Sequence, residues 1–265
     1  MVTSYQRRGT IQSVDRAARI LKALGSGTPR LGVTELSESV GLAKATVHGL
    51  LRTLESQELV EQDPETGKYR LGPAMLQLGN AFLDGHELRA RSLLWADSLA
   101  NRVGEAVRVG VLYGRSVLIV HHVFRPDDSV QVLEVGATIP WHACALGRAA
   151  AAFSGADRRS SLLAGPLPKL TGQTVVEPHE LSLALDAVIS TGVSIVDQEA
   201  ILGEGEIAGA ALDHRGHTAG AIGVVGPSDR LHPSSPSQEL ITAVKDAARG
   251  LSREMGAARF SALGS

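Results

Sequence analysis

The chain has 265 residues, 26 Lys plus Arg against 28 Asp plus Glu, and a formal charge of -2; at roughly 100 to 200 residues per domain, that length suits two domains or one large one. Hydrophobic residues at 43% and charged ones at 20% exclude a mainly disordered or collagen-like chain, and with aromatics at 3% the core must be aliphatic. The single Cys144 excludes an internal disulfide and a Cys-based zinc site, and neither an apolar run of about 18 residues nor a signal-peptide pattern occurs, so a cytoplasmic protein is expected.

The first 72 residues predict a winged helix-turn-helix domain. From Ser13, a plausible N-cap, apolar residues fall at Val14, Ala17, Ala18, Leu21 and Leu24, the spacing of a one-sided helix, and Gly25, Gly27 and Pro29 stop it. A second helix is expected over about Val33 to Val40 with Thr34 as its cap, and Gly41 makes the turn. A third runs from Ala43 or Lys44 to about Gln57, burying Val47, Leu50, Leu51 and Leu54. Two extended runs, 59–62 and 68–71, flank the Pro64 and Gly67 turn as a hairpin. Such a helix pair can place its second helix in the DNA major groove.

On that third helix the positions opposite the buried stripe are Ala45, Gly49, Arg52 and Ser56, flanked by Lys44, His48 and Thr46. Small Ala45 and Gly49 allow close approach to a groove floor, and Arg52 can fork onto guanine. A solvated polar face explains the same pattern. Charge distribution favours the reader: residues 1–52 carry eight basic against three acidic groups, whereas residues 73–265 carry 16 against 20. Arg7 and Arg8 form an arm for a neighbouring groove, and Lys68 and Arg70 point outward from the wing.

A linker helix is expected over 73–88, divided or bent at Gly79 and Gly85, with Met75, Leu78 and Phe82 packing on one side. The remainder, 89–255 followed by a tail at 256–265, alternates strand and helix. Strands are expected at 106–113 and 117–124 around Gly114, at 130–135, 193–196, 207–212 and 219–225. Helices are expected at 145–153, 157–163, 180–190 and 236–255. Antiparallel-rich strands with packed helices predict an α+β domain.

Within it, His142-Ala143-Cys144 precedes a helix whose free N–H groups suit a carboxylate or phosphate, or simply start a helix. Cys144 with His142 could be imagined as a nucleophile and base, but a lone Cys is more often a small packed residue. His121-His122 and His214 with His217 make poor metal sites, because strand neighbours point to opposite faces and the second pair lies in a turn. No metal or cofactor is expected. An enzyme carrying the N-terminal part as an interaction module is the rival reading, and the basic reader and wing speak against it.

The segments IQSVDRAARIL, GVTELSESVGLAKATVHGLLRTL and LVEQDPETGKYRLG resemble the DNA-binding domain of IclR-type transcriptional regulators, and PWHACALGRAAAAF, GVSIVDQEAILGEGEIAGAALD and AGAIGVVGPSDRL resemble their effector domain. HELRARSLLWADSLA and VLIVHHVFRPDDS resemble actinobacterial glycerol operon regulators more narrowly. The resemblance implies operator DNA and a small-molecule effector as partners, a dimer or dimer of dimers, and a GAF-like effector domain. It also implies repression of glycerol catabolism relieved by glycerol or glycerol 3-phosphate, with an activator, or a regulator of another operon answering a small organic acid, as alternatives. Effector contacts carry over to Leu133, Cys144, Ala145, Leu146, Gly147, Glu204, Glu206, Gly223 and Val225. The chain departs from the family pattern with Val196-Asp197 in place of a paired acid, and with Gly223 and Val225 in place of Ser. Glu204 and Glu206 would repel an anion unless turned away or paired with Arg108, Arg125 or Arg148, which leaves room for a neutral polyol. Asp197 is kept as a hydroxyl-binding candidate.

Overall fold

The computed structural model describes residues 11–27, 30–127, 131–232 and 236–257 and falls into two units, Met1–Gly85 and His86–Ser265. In the first, α1 (Gln12–Gly25), α2 (Val33–Val40) and α3 (Lys44–Ser56) precede β1 (Val60–Gln62), β2 (Tyr69–Leu71) and α4 (Pro73–Asp84). The expected stripes of α2 and α3 close on one core, Leu36, Val40, Val47, Leu51 and Leu54, with Ile20 and Leu24 of α1 and with Val60 and Tyr69 of the hairpin, and Leu50 is half-buried at its edge. The α1 stripe is corrected, since Val14 and Ala18 are exposed and Ile20 is the fully buried residue. Each large aliphatic side chain buried there contributes about 1.5–3 kcal/mol. Leu31 adds a third edge to the wing through paired backbone bonds with Tyr69 of 3.0 and 2.8 Å. Gly41 adopts the left-handed turn conformation, φ 64°.

Two expected caps are corrected. Ser13 lies inside α1, which begins at Gln12 without a side-chain cap. Thr34 lies inside α2, whose first turn is closed by Glu35: its carboxylate accepts the Gly32 N–H at 2.6 Å. An acid at the third helical position reaches back to the cap amide, which a hydroxyl inside the first turn cannot do. Gly79 sits inside the continuous α4, and the helical stretch breaks only at Gly85. The second unit starts with α5 (Glu87–Val103), so the expected boundary at residue 88 falls in its first turn.

The second unit continues with β3 (Ala106–Tyr113), β4 (Ser116–Val123), β5 (Thr138–Pro140), α6 (Ala145–Ala152), α7 (Ala156–Leu163) and α8 (Pro178–Thr191). It ends with β6 (Ser194–Asp197), β7 (Glu204–Leu212), β8 (Thr218–Pro227), α9 (Ser228–Leu231) and α10 (Gln238–Glu254). The strands form one six-stranded antiparallel sheet in the order β5-β4-β3-β8-β7-β6. This is the expected α+β architecture. Helices α5 and α10 pack together on one face of the sheet. On the other, Ala145, Leu146, Ala149 and Ala150 of α6 bury against Val117, Ile119, Val196, Ala208 and Ala221. The outer side of α6 is covered by Leu162 of α7 and by Leu181, Leu185 and Val188 of α8. Small side chains along α6 let the helix lie close to the sheet, as an aromatic-poor composition requires.

The strand expected at 130–135 is replaced: Gln131–Val135 carries no strand and the pairing strand is β5. The Gln131 side chain takes over the ladder's role, accepting the Arg125 N–H at 2.7 Å and donating to the Arg125 carbonyl at 2.9 Å. Beyond it the Glu134 N–H donates to Nδ1 of His122 on β4 at 3.3 Å, and the Glu134 side chain reaches Arg108.

Candidate functional site

The candidate reader face and the candidate effector face belong to different units. On α3, Lys44, Ala45, His48, Gly49 and Arg52 are exposed and Thr46 is half-buried, while Val47, Leu51 and Leu54 anchor the opposite side. Lys44 and Arg52 make no ion pair among the described residues, so their charges are available to a polyanion. On the wing, Lys68 pairs with Glu35 at 3.4 Å and Arg70 with Glu61 at 2.6 Å. Both pairs are solvent-exposed and contribute little. Arg7 and Arg8 lie outside the described residues.

In the second unit a cavity of about 300 Å³ opens over the sheet, lined by Arg108, His122, Glu134, Leu202, Glu204 and Val225 among others. The strand registers build its floor. Arg108 on β3 lies level with Gly223 on β8, and Gly223 with Ala208 on β7; one alternation along, Ala106, Val225 and Glu206 are level. Gly223 has no side chain to obstruct the crossing from β3 to β7, and a Cβ there would stand 2.6 Å from that of Ala208. Arg108 therefore reaches across β8 to Glu204 and Glu206, while Glu134 reaches it from the irregular segment before β5.

The guanidinium is saturated. Its Nη1 donates to Glu204 Oε1 at 3.0 Å and Glu206 Oε1 at 2.6 Å; Nη2 donates to Glu134 Oε1 at 2.6 Å and Glu204 Oε2 at 3.1 Å; Nε donates to Glu134 Oε2. These five contacts account for all five N–H donors of an arginine. The second oxygen of Glu206 accepts the Ala145 N–H, the first amide of α6, at 2.7 Å. Burial pushes the Glu206 carboxyl above its ordinary value, and Arg108 opposes that shift.

The expected anion site at the start of α6 is thus corrected. Its amide is occupied by the chain's own Glu206, because the 2.0 periodicity of β7 aims Glu204 and Glu206 to the same face, toward α6 and Arg108. Of the three arginines expected as partners, the register selects Arg108. Arg148 instead ties α6 to Glu199 and donates to the His142 carbonyl at 2.7 Å, and Arg125 engages Asp127 and Glu105.

The other effector candidates separate. Cys144 is fully buried, in the apolar cluster under α6, and Leu146 packs there with it. Gly147 serves helix seating, since a Cβ would stand 2.1 Å from the Trp141 carbonyl. Leu133 is 60% exposed. Asp197 pairs with Gly205, one residue out of phase with Glu206, so it projects from the opposite face; there it accepts the Ser228 hydroxyl at 2.5 Å. Sequence reasoning missed Glu134 and treated Arg108 only as a possible partner. The available signal was one arginine in an otherwise apolar strand, AVRVGVLY, since a charge in such a strand must be paired.

Comparison with known proteins decides the identity. Residues 13–64 match the IclR helix-turn-helix domain, and residues 80–253 match the bacterial transcriptional regulator IclR C-terminal family. The chain belongs to the IclR family of transcriptional regulators. It is 47% identical to the glycerol operon regulatory protein of Streptomyces griseus and 45% identical to that of Streptomyces coelicolor, covering 94% of this chain and 98% of each relative. Its fold is similar to that of an IclR-family regulator crystal structure from Alicyclobacillus acidocaldarius, with a TM-score of 0.80 at 24% identity, over 94% of this chain and 100% of the other.

In this IclR-family chain the α3 residues fall inside the matched DNA-binding segment and all the effector candidates inside the matched C-terminal one. The family makes the molecule a transcriptional regulator, and its cysteine is placed as a packed residue. Burial pushes the Cys144 thiol well up, its sulfur lies 3.6 Å from the Pro140 carbonyl, and His142 is bonded to the Pro168 carbonyl at 3.0 Å.

Proposed function

We propose that this regulator represses genes of glycerol catabolism and leaves its operator when glycerol or glycerol 3-phosphate enters the Arg108 cavity. The observation that carries the reading is near-full-length identity of 47% and 45% to two proteins named for the glycerol operon. The α3 face supplies the DNA contacts: Arg52 to base edges, Lys44 and Thr46 to phosphates or base edges, Lys68 and Arg70 to the backbone beside the wing.

Exposed apolar side chains on α4 support a dimer. No residue of this twelve-residue helix is buried, and Leu76, Leu78 and Phe82 are 69%, 59% and 52% exposed. Apolar side chains exposed along a helix of a DNA-binding unit fit a second copy, which sets two reading helices about one helical turn, roughly 34 Å, apart. Effector binding shifts the population toward an arrangement that no longer matches both half-sites, which requires differential affinity for the two arrangements. The protein acts beside the chromosome, in the cytoplasm.

The test is to footprint the regulator on promoters of glycerol catabolism genes of its own genome. The complex is then titrated with glycerol, glycerol 3-phosphate and small organic acids. Release by either glycerol compound supports the reading; no response to any of them removes the glycerol assignment and leaves the family untouched.

A further inference from the structure

We infer that Glu134 sets the ligand class of the Arg108 cavity: its carboxylate occupies the outer edge of the guanidinium, so the cavity admits an uncharged polyol and excludes carboxylates and phosphate monoesters. The inference rests on the cavity being the effector site and goes on to choose between the two glycerol compounds.

Three observations carry it. First, an anionic ligand draws on cationic donors, and those of the described lining are committed. All five N–H groups of Arg108 go to Glu134, Glu204 and Glu206, the α6 amide goes to Glu206, and the second arginine of the lining, Arg125, is engaged with Asp127 and Glu105. Second, one guanidinium faces three carboxylates, so a further negative charge enters a field already in carboxylate excess. Hydroxyl groups, by contrast, donate to carboxylate oxygens, each of which keeps acceptor capacity after bonding Arg108. Third, the members of the knot are not equivalent. Arg108 and Glu206 are almost wholly buried, at 4% and 6% side-chain exposure, while Glu134 keeps 27% and Glu204 22%. Glu134 alone is carried by a segment with no ladder of its own, and its side-on contact with Nε and Nη2 is the bidentate geometry that a ligand acid would itself adopt. It stands where that acid would bind. Val132 and Leu202 in the cavity lining suit the carbon skeleton of a small polyol.

The experiment uses the full-length protein on its operator, with release followed by fluorescence anisotropy against glycerol, erythritol, glycerol 3-phosphate and pyruvate. Wild type is expected to respond to a polyol at a concentration at least about tenfold below that needed for either acid. Glu134→Gln, which frees one edge of Arg108, is expected to move that ratio about tenfold or more toward the acids. Glu134→Ala provides the second variant, and thermal unfolding verifies the fold of both. Should both variants fail to fold, the wild-type ranking still decides. Release of wild type by glycerol 3-phosphate at lower concentration than by glycerol overturns the inference while the glycerol reading stands. A response to erythritol but not to either glycerol compound keeps the inference and removes the glycerol reading. A preference for pyruvate, an unaltered ratio in a folded variant, or no response to any of the four overturns it.

Discussion

Gly49 offers a separation of stability from recognition. It is the sixth of thirteen residues of α3, it is exposed, and a Cβ built on it meets nothing within 4 Å. Nothing in the free protein therefore requires glycine there, and glycine in a helix interior costs about 0.8–1.0 kcal/mol relative to alanine. Gly49→Ala is expected to stabilise the first unit by about 1 kcal/mol, which raises the midpoint of a domain of 60–100 residues by about 4–8 °C. If α3 lies on the floor of the major groove, the same methyl occupies space that a base edge needs, and operator affinity falls about tenfold, equivalent to about 1.4 kcal/mol. Thermal unfolding followed by circular dichroism gives the first quantity, and anisotropy titration of a labelled operator duplex gives the second. A more stable variant that binds the operator as well as wild type would refute the close approach. A less stable one would refute the account of the free helix.

Arg52→Ala should weaken operator binding by about 1–3 kcal/mol if the side chain forks onto a guanine, and should relax sequence preference at that one position; equal loss on operator and random duplex would assign Arg52 to the phosphates. Arg108→Met leaves Glu206 buried without its cation, so the second unit should lose about 3–5 kcal/mol near neutral pH. The deficit should shrink as acidification protonates the carboxyls, and undiminished stability at pH 7.5 would contradict the knot described above. Burial holds the His142 imidazole below the ordinary histidine value. As pH falls through about 6.5 the unfolded chain takes up that proton before the folded one does, and stability falls. In urea unfolding, His142→Gln should therefore show less loss than wild type between pH 7.5 and 5.5, and parallel curves would exclude the effect.

Most of the fold was legible because the local signals agreed with each other. The stripe of α3 and the Gly41 turn describe one core from either direction, and in the second unit the β-branched runs of β3 and β4 flank Gly114 as a hairpin must. The errors fall where a side chain replaces a backbone signal. At Gly32 a glutamate three residues on closes the helix start, so the hydroxyl-based rule nominated Thr34. At 130–135 the apolar sequence reads as a strand, but the amide of Gln131 takes up the Arg125 backbone groups and ends the ladder early. The apolar spacing of Met75, Leu78 and Phe82 on α4 names no packing partner, and the structure leaves Leu78 and Phe82 exposed and Met75 half-buried.

The candidate effector site was less legible, for a reason that also explains its chemistry. A sequence shows that Glu204 and Glu206 share a face, but not which of Arg108, Arg125 and Arg148 comes opposite; that depends on the pairing of β3 with β8 and of β8 with β7, which fixes Arg108 level with Gly223. Once that register is known, the remaining assignments follow. Glycine at 223 opens the crossing, Glu206 is drawn between Arg108 and the start of α6, and Cys144 behind it is sealed into the apolar cluster. A bulky substitution at Cys144 would consequently overpack the core, at a typical cost of about 1–3 kcal/mol, and would report on stability before it reported on induction. Glu134 and Glu204, at the open side of the same knot, are the positions where a change of side chain reaches a ligand without first disturbing the core.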